Sequence, residues 1–165
     1  MKPSLYFLTA FLFLLSCAKK TTAPSASGRT VTYRDKVVAI TNMNADIING
    51  VNEHRRVKGL PPLHLLAIAA SEAAKHSSNM AAKRTPFGHG GFNQRALAIA
   101  NELQGTSSTG ENVAFGKMTS RQVIDAWLKS PNHKANIEGN FNYTGVGVAK
   151  DSRGVVYYTQ IFVKK

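Results

Sequence analysis

The order of apolar and polar positions divides the chain into helices first and strands last. Apolar residues recur at helical spacing over 37–58, and further helices are expected over 65–83, 93–103 and 120–129. Gly59 stops the first helix, and Pro131 ends the fourth. Residues 111–115 predict a short strand or bend, and Val146 begins a hairpin that turns at 151–154 and returns over 155–163. Helices followed by antiparallel strands predict an α+β fold.

The first residues have the pattern of an export signal. Lys2 precedes an apolar run over 5–15, which is about half the ~20 residues that a membrane-spanning helix needs. The run ends in Leu14-Leu15-Ser16-Cys17, which is similar to a bacterial lipobox. We therefore predict a lipoprotein signal peptide over 1–16 and lipidation of Cys17. Cys17 is the only cysteine, so the domain can form no internal disulfide.

Composition favours one domain on a tether. Residues 17–36 are rich in Thr, Ser, Ala, Lys and Pro, which predicts a flexible segment, and 37–165 is expected to be one compact domain. The net charge is +12, but no alternation of basic and aromatic residues indicates a nucleic-acid partner. A solvated basic surface is the simpler interpretation of this charge, and attraction to anionic envelope polymers or lipid head groups is the alternative.

Three polar residues stand out as candidates for chemistry. His89 lies in a glycine-rich stretch, Glu111 follows Gly110, and His133 follows Pro131-Asn132. Two imidazoles and one carboxylate could bind zinc with water in the open position, but Glu111 could then hardly be both ligand and proton acceptor. His89 and His133 are the predicted metal ligands. In a hydrolase, Glu111 and His133 would be the catalytic candidates.

These residues occur within a longer series of motifs. In order along the chain, the motifs lie at 52–55, 59–63, 110–114, 126–133, 144–148 and 158–162. Together they resemble the CAP superfamily of cysteine-rich secretory proteins, antigen five and pathogenesis-related proteins, from about residue 46 to 163. The resemblance implies an α-β-α sandwich with a small antiparallel sheet between helical layers. It also implies that His89, Glu111 and His133 line a shared cleft, although a second glutamate of many relatives is replaced here by Ser130.

The resemblance implies binding more than catalysis. The expected protein is exported and lipid-anchored in a bacterial cell envelope, on the outer membrane if the cell has one. Its expected ligand is a lipid, sterol or glycan, with zinc or another divalent metal as the conceivable cofactor. One alternative is a metal-assisted hydrolase or peptidase acting on envelope material. Another is an adhesion or envelope-organisation module. The sequence leaves the oligomeric state open.

Overall fold

The structure, a computed structural model, describes residues 32–106 and 108–165. The predicted signal peptide, Cys17 and most of the tether lie outside these residues. The helices are α1 (Tyr33–Val57), α2 (Ala67–Ala81), α3 (Phe92–Glu102), α4 (Ser120–Lys129) and α5 (Pro131–Ile137). The strands are β1 (His64–Leu65), β2 (Ser108–Gly116), β3 (Tyr143–Lys150) and β4 (Val156–Lys164). Among the described residues, no helix is both long enough and apolar enough to cross a membrane.

The strands form one mixed sheet in the order β1-β3-β4-β2. β4 pairs antiparallel with both of its neighbours, and the short β1 pairs parallel with β3. In this register Glu111 lies opposite Ile161 and Asn112 lies opposite Gln160. Since successive side chains of a strand point to opposite faces, the side chains of Glu111 and Asn112 point towards different helical layers of the fold.

Helices cover both faces of the sheet, which confirms the predicted α-β-α architecture. On one face, α1, α4 and α5 enclose a core that includes Ile47, Trp127 and Tyr158. On the other face, α2 lies so close to β3 that a side chain on Gly147 would meet backbone atoms of α2 at 2.1 Å. Ala73 of α2 supplies the small side chain that this approach requires.

The end of α1 is fixed to the surrounding loops by two polar side chains. The amide of Asn52 donates to the carbonyl of Leu63 and accepts from its N–H, at 2.9 and 2.8 Å. Arg55 is buried, and its guanidinium donates to four backbone carbonyls, including those of Ile137 and Gly139. Both residues have structural roles, and they place the end of α1 near the start of β3.

Several element boundaries differ from the sequence prediction. α1 begins at Tyr33, inside the segment assigned to the tether, and β2 is a nine-residue strand rather than a short bend. Pro131 ends α4 but also begins α5, because proline is compatible with the first turn of a helix, where its missing N–H needs no partner. The helix cap before α4 is Thr119, which forms a capping box with Gln122.

Candidate functional site

Glu111 and His89 are in direct contact. Glu111 lies on β2, and its side chain is almost completely buried on the sheet face that α2 and α3 cover. His89 lies in the loop between these helices, and its Nδ1 is 2.9 Å from Oε1 of Glu111. Since an ionised carboxylate only accepts hydrogen bonds, Nδ1 carries the proton in this contact. The His89 side chain is 51% exposed. Its second ring nitrogen, Nε2, makes no bond to Glu111, which is bonded to Nδ1.

Arg95 of α3 is the partner of Glu111 that sequence reasoning missed. Its Nε donates to Oε2 at 2.9 Å and its Nη2 donates to Oε1 at 2.8 Å, which makes a two-pronged ion pair. Both side chains are buried. Arg95 is one helical turn before the buried Ile99 and therefore shares its inward face, and this spacing is the sequence signal that could have drawn attention to it. The negative charge of Glu111 is thus compensated inside the protein.

The loop that carries His89 is fixed on both sides of the histidine. His76 of α2 is buried, and its Nε2 is 2.8 Å from the carbonyl oxygen of Gly88. Burial lowers the pKa of His76, so the neutral ring donates from Nε2 to this carbonyl. On the other side, Nη1 of Arg95 donates to the carbonyl of Gly90 at 2.8 Å. His76 is therefore a histidine of the core, and its hydrogen bond to Gly88 positions the loop.

His133 lies on α5, a helix that contacts β2. The amide of Asn112 donates to the carbonyl of His133 at 3.0 Å, and Asn136 donates to the Asn112 side-chain oxygen at 2.9 Å. Burial lowers the pKa of the His133 imidazole, and a positive charge on a protonated His89 ring would lower it further. His133 is therefore neutral at neutral pH. We call His89, Glu111 and His133 together the imidazole site, and the expectation that they line one shared cleft stays a prediction.

The donor atoms of the imidazole site do not fit a metal centre with three protein ligands. Both oxygens of Glu111 are engaged by Arg95 and His89, and the guanidinium places a positive charge beside any cation that Glu111 would bind. Within the described residues, no group of three or more His, Cys, Asp or Glu side chains is arranged to hold a metal ion. Of the three side chains of the imidazole site, the imidazoles of His89 and His133 are the ones not paired with Arg95, and metal binding by these two histidines stays a prediction.

The imidazole site contains part of the arrangement that nucleophilic catalysis uses. A buried carboxylate that orients an exposed imidazole resembles the base and its orienting partner in a catalytic triad. The hydrogen bonds of the described residues bring no hydroxyl or thiol group to either ring. Ser130 lies between α4 and α5 and accepts a helical hydrogen bond through its carbonyl. A catalytic role for Glu111 and His133 therefore stays a prediction.

Comparison with known proteins places this fold and these residues in a family. The sequence profile of the cysteine-rich secretory protein family, abbreviated CAP, matches residues 48–162. The protein YkwD of Bacillus subtilis, which is described as uncharacterized, is 31% identical over 149 residues. That alignment covers 89% of this chain and 53% of YkwD, so the chain spans about half the length of this relative.

Solved structures show the same architecture. An extracellular protein containing an SCP domain from Bacillus anthracis superposes with a TM-score of 0.70 at 25% identity, over 82% of this chain and 45% of that one. An outer surface protein of Borrelia burgdorferi superposes with a TM-score of 0.63 at 20% identity, over 82% of this chain and 96% of that one. The family profile matches well over half of the chain and includes Glu111 and both histidines. The chain is therefore a member of the cysteine-rich secretory protein (CAP) family.

Proposed function

We propose that this chain is an exported, lipid-anchored CAP-domain protein of a bacterial cell envelope that binds a ligand at the imidazole site. The signal pattern over 1–16 and the single Cys17 support export and acylation. The similarity to an extracellular protein of Bacillus anthracis also supports a location outside the cytoplasm. Acylation at Cys17 would hold the domain at the membrane, on the outer membrane in a cell that has one.

The ligand-binding proposal rests on the hydrogen bonds by which Arg95 and Glu111 orient the ring of His89. Arg95 compensates the carboxylate, and the carboxylate holds Nδ1 of His89, which leaves the half-exposed ring to offer Nε2 outward to a partner. A buried ion pair costs desolvation free energy and is a poor source of stability by itself. An arrangement in which a buried ion pair orients one exposed imidazole is typical of a site that holds that ring in a fixed direction.

The chemistry of the two rings favours a ligand with hydroxyl groups. Nε2 of His89 accepts a hydrogen bond when Nδ1 donates to Glu111, and the neutral His133 ring has one donor and one acceptor. A glycan or a sterol hydroxyl group can satisfy both rings without bringing a charge. We propose a hydroxyl-bearing envelope glycan as the first ligand class, with a divalent metal held by the two imidazoles as the alternative.

The site can be tested by following the backbone amide resonances of residues 89 and 133 in NMR spectra, because these amides are present in the wild type and in every alanine variant. A soluble, uncharged disaccharide of two N-acetylglucosamine units is added first, and zinc chloride is added to a second sample. We expect saturable shifts of both amides with the disaccharide, and their loss in His89→Ala/His133→Ala. His64→Ala is the matched control, since His64 is an exposed histidine on β1. Saturable zinc binding with no response to the disaccharide would support the metal instead. No response to either probe would contradict ligand binding at this site.

Anchoring has a separate test in cells. The full chain is expressed with an alkyne-tagged fatty acid, and incorporation of the tag is compared between wild type and Cys17→Ser. We expect the tag on the wild-type chain alone, and a high-salt wash should release the variant from the membrane fraction while the acylated chain remains. Equal membrane association of both proteins without the tag would refute lipidation, whatever the imidazole site binds.

A further inference from the structure

Four basic residues meet at one end of the sheet. β2 ends at Gly116 and is followed by Lys117, while β3 ends at Lys150, and both terminal positions pair with Val156 at the start of β4. Lys83 follows the end of α2, and Arg153 lies in the turn between β3 and β4. A depression of about 580 Å³ is lined by Lys83, Lys150 and Arg153 together. We call this surface, defined by Lys83, Lys117, Lys150 and Arg153, the basic end.

The charges of the basic end are only partly compensated. Asp151 holds the turn by accepting hydrogen bonds from the N–H groups of Arg153 and Val155, both at 2.9 Å, and it also pairs with the Arg153 side chain. In the part of the chain that the structure describes, Lys83, Lys117 and Lys150 form no ion pair with a carboxylate.

Two of these lysines converge. A side chain on Gly154 would lie 3.4 Å from Cε of Lys150 and 3.9 Å from Cε of Lys117. Like charges held this close repel each other, and an anionic partner would remove that cost.

Exposed aromatic rings lie at the same end of the sheet as the lysines. Phe115 is 53% exposed and stacks on Tyr157, with ring centroids 5.9 Å apart, and Phe87 is 47% exposed and packs on Phe115 at 4.6 Å. Phe115 and Tyr157 are one row from the end of the strands and lie on the sheet face that α2 covers, the helix that Lys83 follows. Lysine stems beside exposed phenyl rings are typical of protein surfaces that lie in the head-group region of a membrane, where the rings enter the apolar boundary and the ammonium groups stay at the phosphates.

We propose that the basic end, with Phe87 and Phe115, is a docking surface for an anionic lipid bilayer. The lysines bind lipid phosphates and the phenyl rings enter the interface, so that the domain lies on the membrane in one orientation. The imidazole site contributes none of these side chains, and the inference depends on the proposed function only for the location of the protein at an envelope membrane. Each lysine near an anionic surface is expected to contribute about a fivefold gain in binding.

The test is cosedimentation of residues 17–165 carrying Cys17→Ser, the processed chain without any acyl group, with phosphatidylcholine vesicles that contain or lack phosphatidylglycerol. We expect binding that requires phosphatidylglycerol and weakens in high salt. Lys83→Glu/Lys117→Glu/Lys150→Glu should lower the partition coefficient by at least about twenty-five-fold, which corresponds to two lysine contributions. The matched control is Lys58→Glu/Lys129→Glu/Lys165→Glu, which makes the same change in net charge at exposed positions outside the basic end.

The outcomes separate the bilayer from other anionic partners. Equal losses in the two triple variants would show a nonspecific effect of net charge and overturn the proposal. Phe87→Ser/Phe115→Ser should weaken binding to vesicles but leave binding to soluble polyphosphate unchanged. If this aromatic variant binds vesicles as well as its parent, and polyphosphate displaces both, the surface binds anionic polymers and the bilayer proposal is wrong. Because the chain carries no acyl group, these results are independent of whether Cys17 is lipidated.

Discussion

Replacing Arg95 by methionine would test whether the buried ion pair is what presents His89. Methionine preserves most of the side-chain length but removes both donors to Glu111 and the donor to the Gly90 carbonyl. Removing one partner of a buried ion pair costs about 3–5 kcal/mol, because the other charge is left without compensation. Here His89 still donates to Glu111, which offsets part of this cost, and the unpaired Gly90 carbonyl adds to it. We therefore expect the free energy of unfolding to fall by about 4 kcal/mol.

The assay is urea denaturation of the domain, followed by Trp127 fluorescence, with Glu111→Leu and the double variant Arg95→Met/Glu111→Leu alongside. Because the double variant removes both charges of this pair, it should recover at least about 2 kcal/mol relative to the sum of the single variants. Arg121→Met is the matched control, since Arg121 and Asp125 form an exposed pair on α4 whose interaction is screened by water. A loss below about 1 kcal/mol for Arg95→Met, or no coupling in the double variant, would refute this account of Glu111.

Three further predictions concern the scaffold around the site. Gly147→Ala should cost at least about 2 kcal/mol in unfolding free energy, because its methyl group would lie 2.1 Å from the backbone of α2. In the same urea titration, Gly90→Ala should change the unfolding free energy by less than about 1 kcal/mol, because its methyl group meets no atom within 4 Å. Arg55→Met should lower the free energy of unfolding by about 3 kcal/mol or more, because it leaves four carbonyls without their donor. A melting temperature no lower than that of the exposed Arg56→Met variant would contradict this role. Burial lowers the pKa of His76 below the ~6.5 of an unfolded histidine, so the unfolded state binds the proton more tightly. Unfolding free energy should accordingly fall as the pH drops through that value and level off below the folded-state pKa. His76→Gln should flatten this dependence, and an unchanged pH profile would argue against a buried neutral ring.

The sequence predicted those elements whose limits are marked by local chemistry. The predicted limits of α4 are confirmed, because a capping box precedes the helix and a proline follows it. The same proline concealed α5, since it is equally compatible with the end of one helix and the first turn of the next. β1 has only two residues and pairs with the start of β3, so no periodicity within His64–Leu65 could reveal it. It exists because of its tertiary partner.

The chemistry of the candidate site was also predicted only in part, because part of it depends on tertiary contacts. The positions of His89, Glu111 and His133 follow from their motifs, and the structure brings His89 and Glu111 into contact. Arg95 was missed because a single arginine in a helix is usually exposed, and only tertiary structure shows that it pairs with a carboxylate on a strand. This omission changed the predicted chemistry. A carboxylate that is free to bind a cation favours a metal site, whereas one already paired with a guanidinium favours an oriented imidazole.

The loop between α2 and α3 links the two surfaces that we propose, and its bonds determine whether they can be separated by mutation. Phe87 belongs to the docking surface, yet it lies only two residues before His89. The carbonyl of Gly88 between them is held by His76, and the carbonyl of Gly90 beyond His89 is held by Arg95. Both of these donors are buried and bond to backbone carbonyls, so the bonds that fix the position of His89 do not involve the phenyl ring. A variant that removes Phe87 should therefore weaken vesicle binding while the NMR shifts of the imidazole site remain, and this difference is what identifies them as two functions rather than one surface.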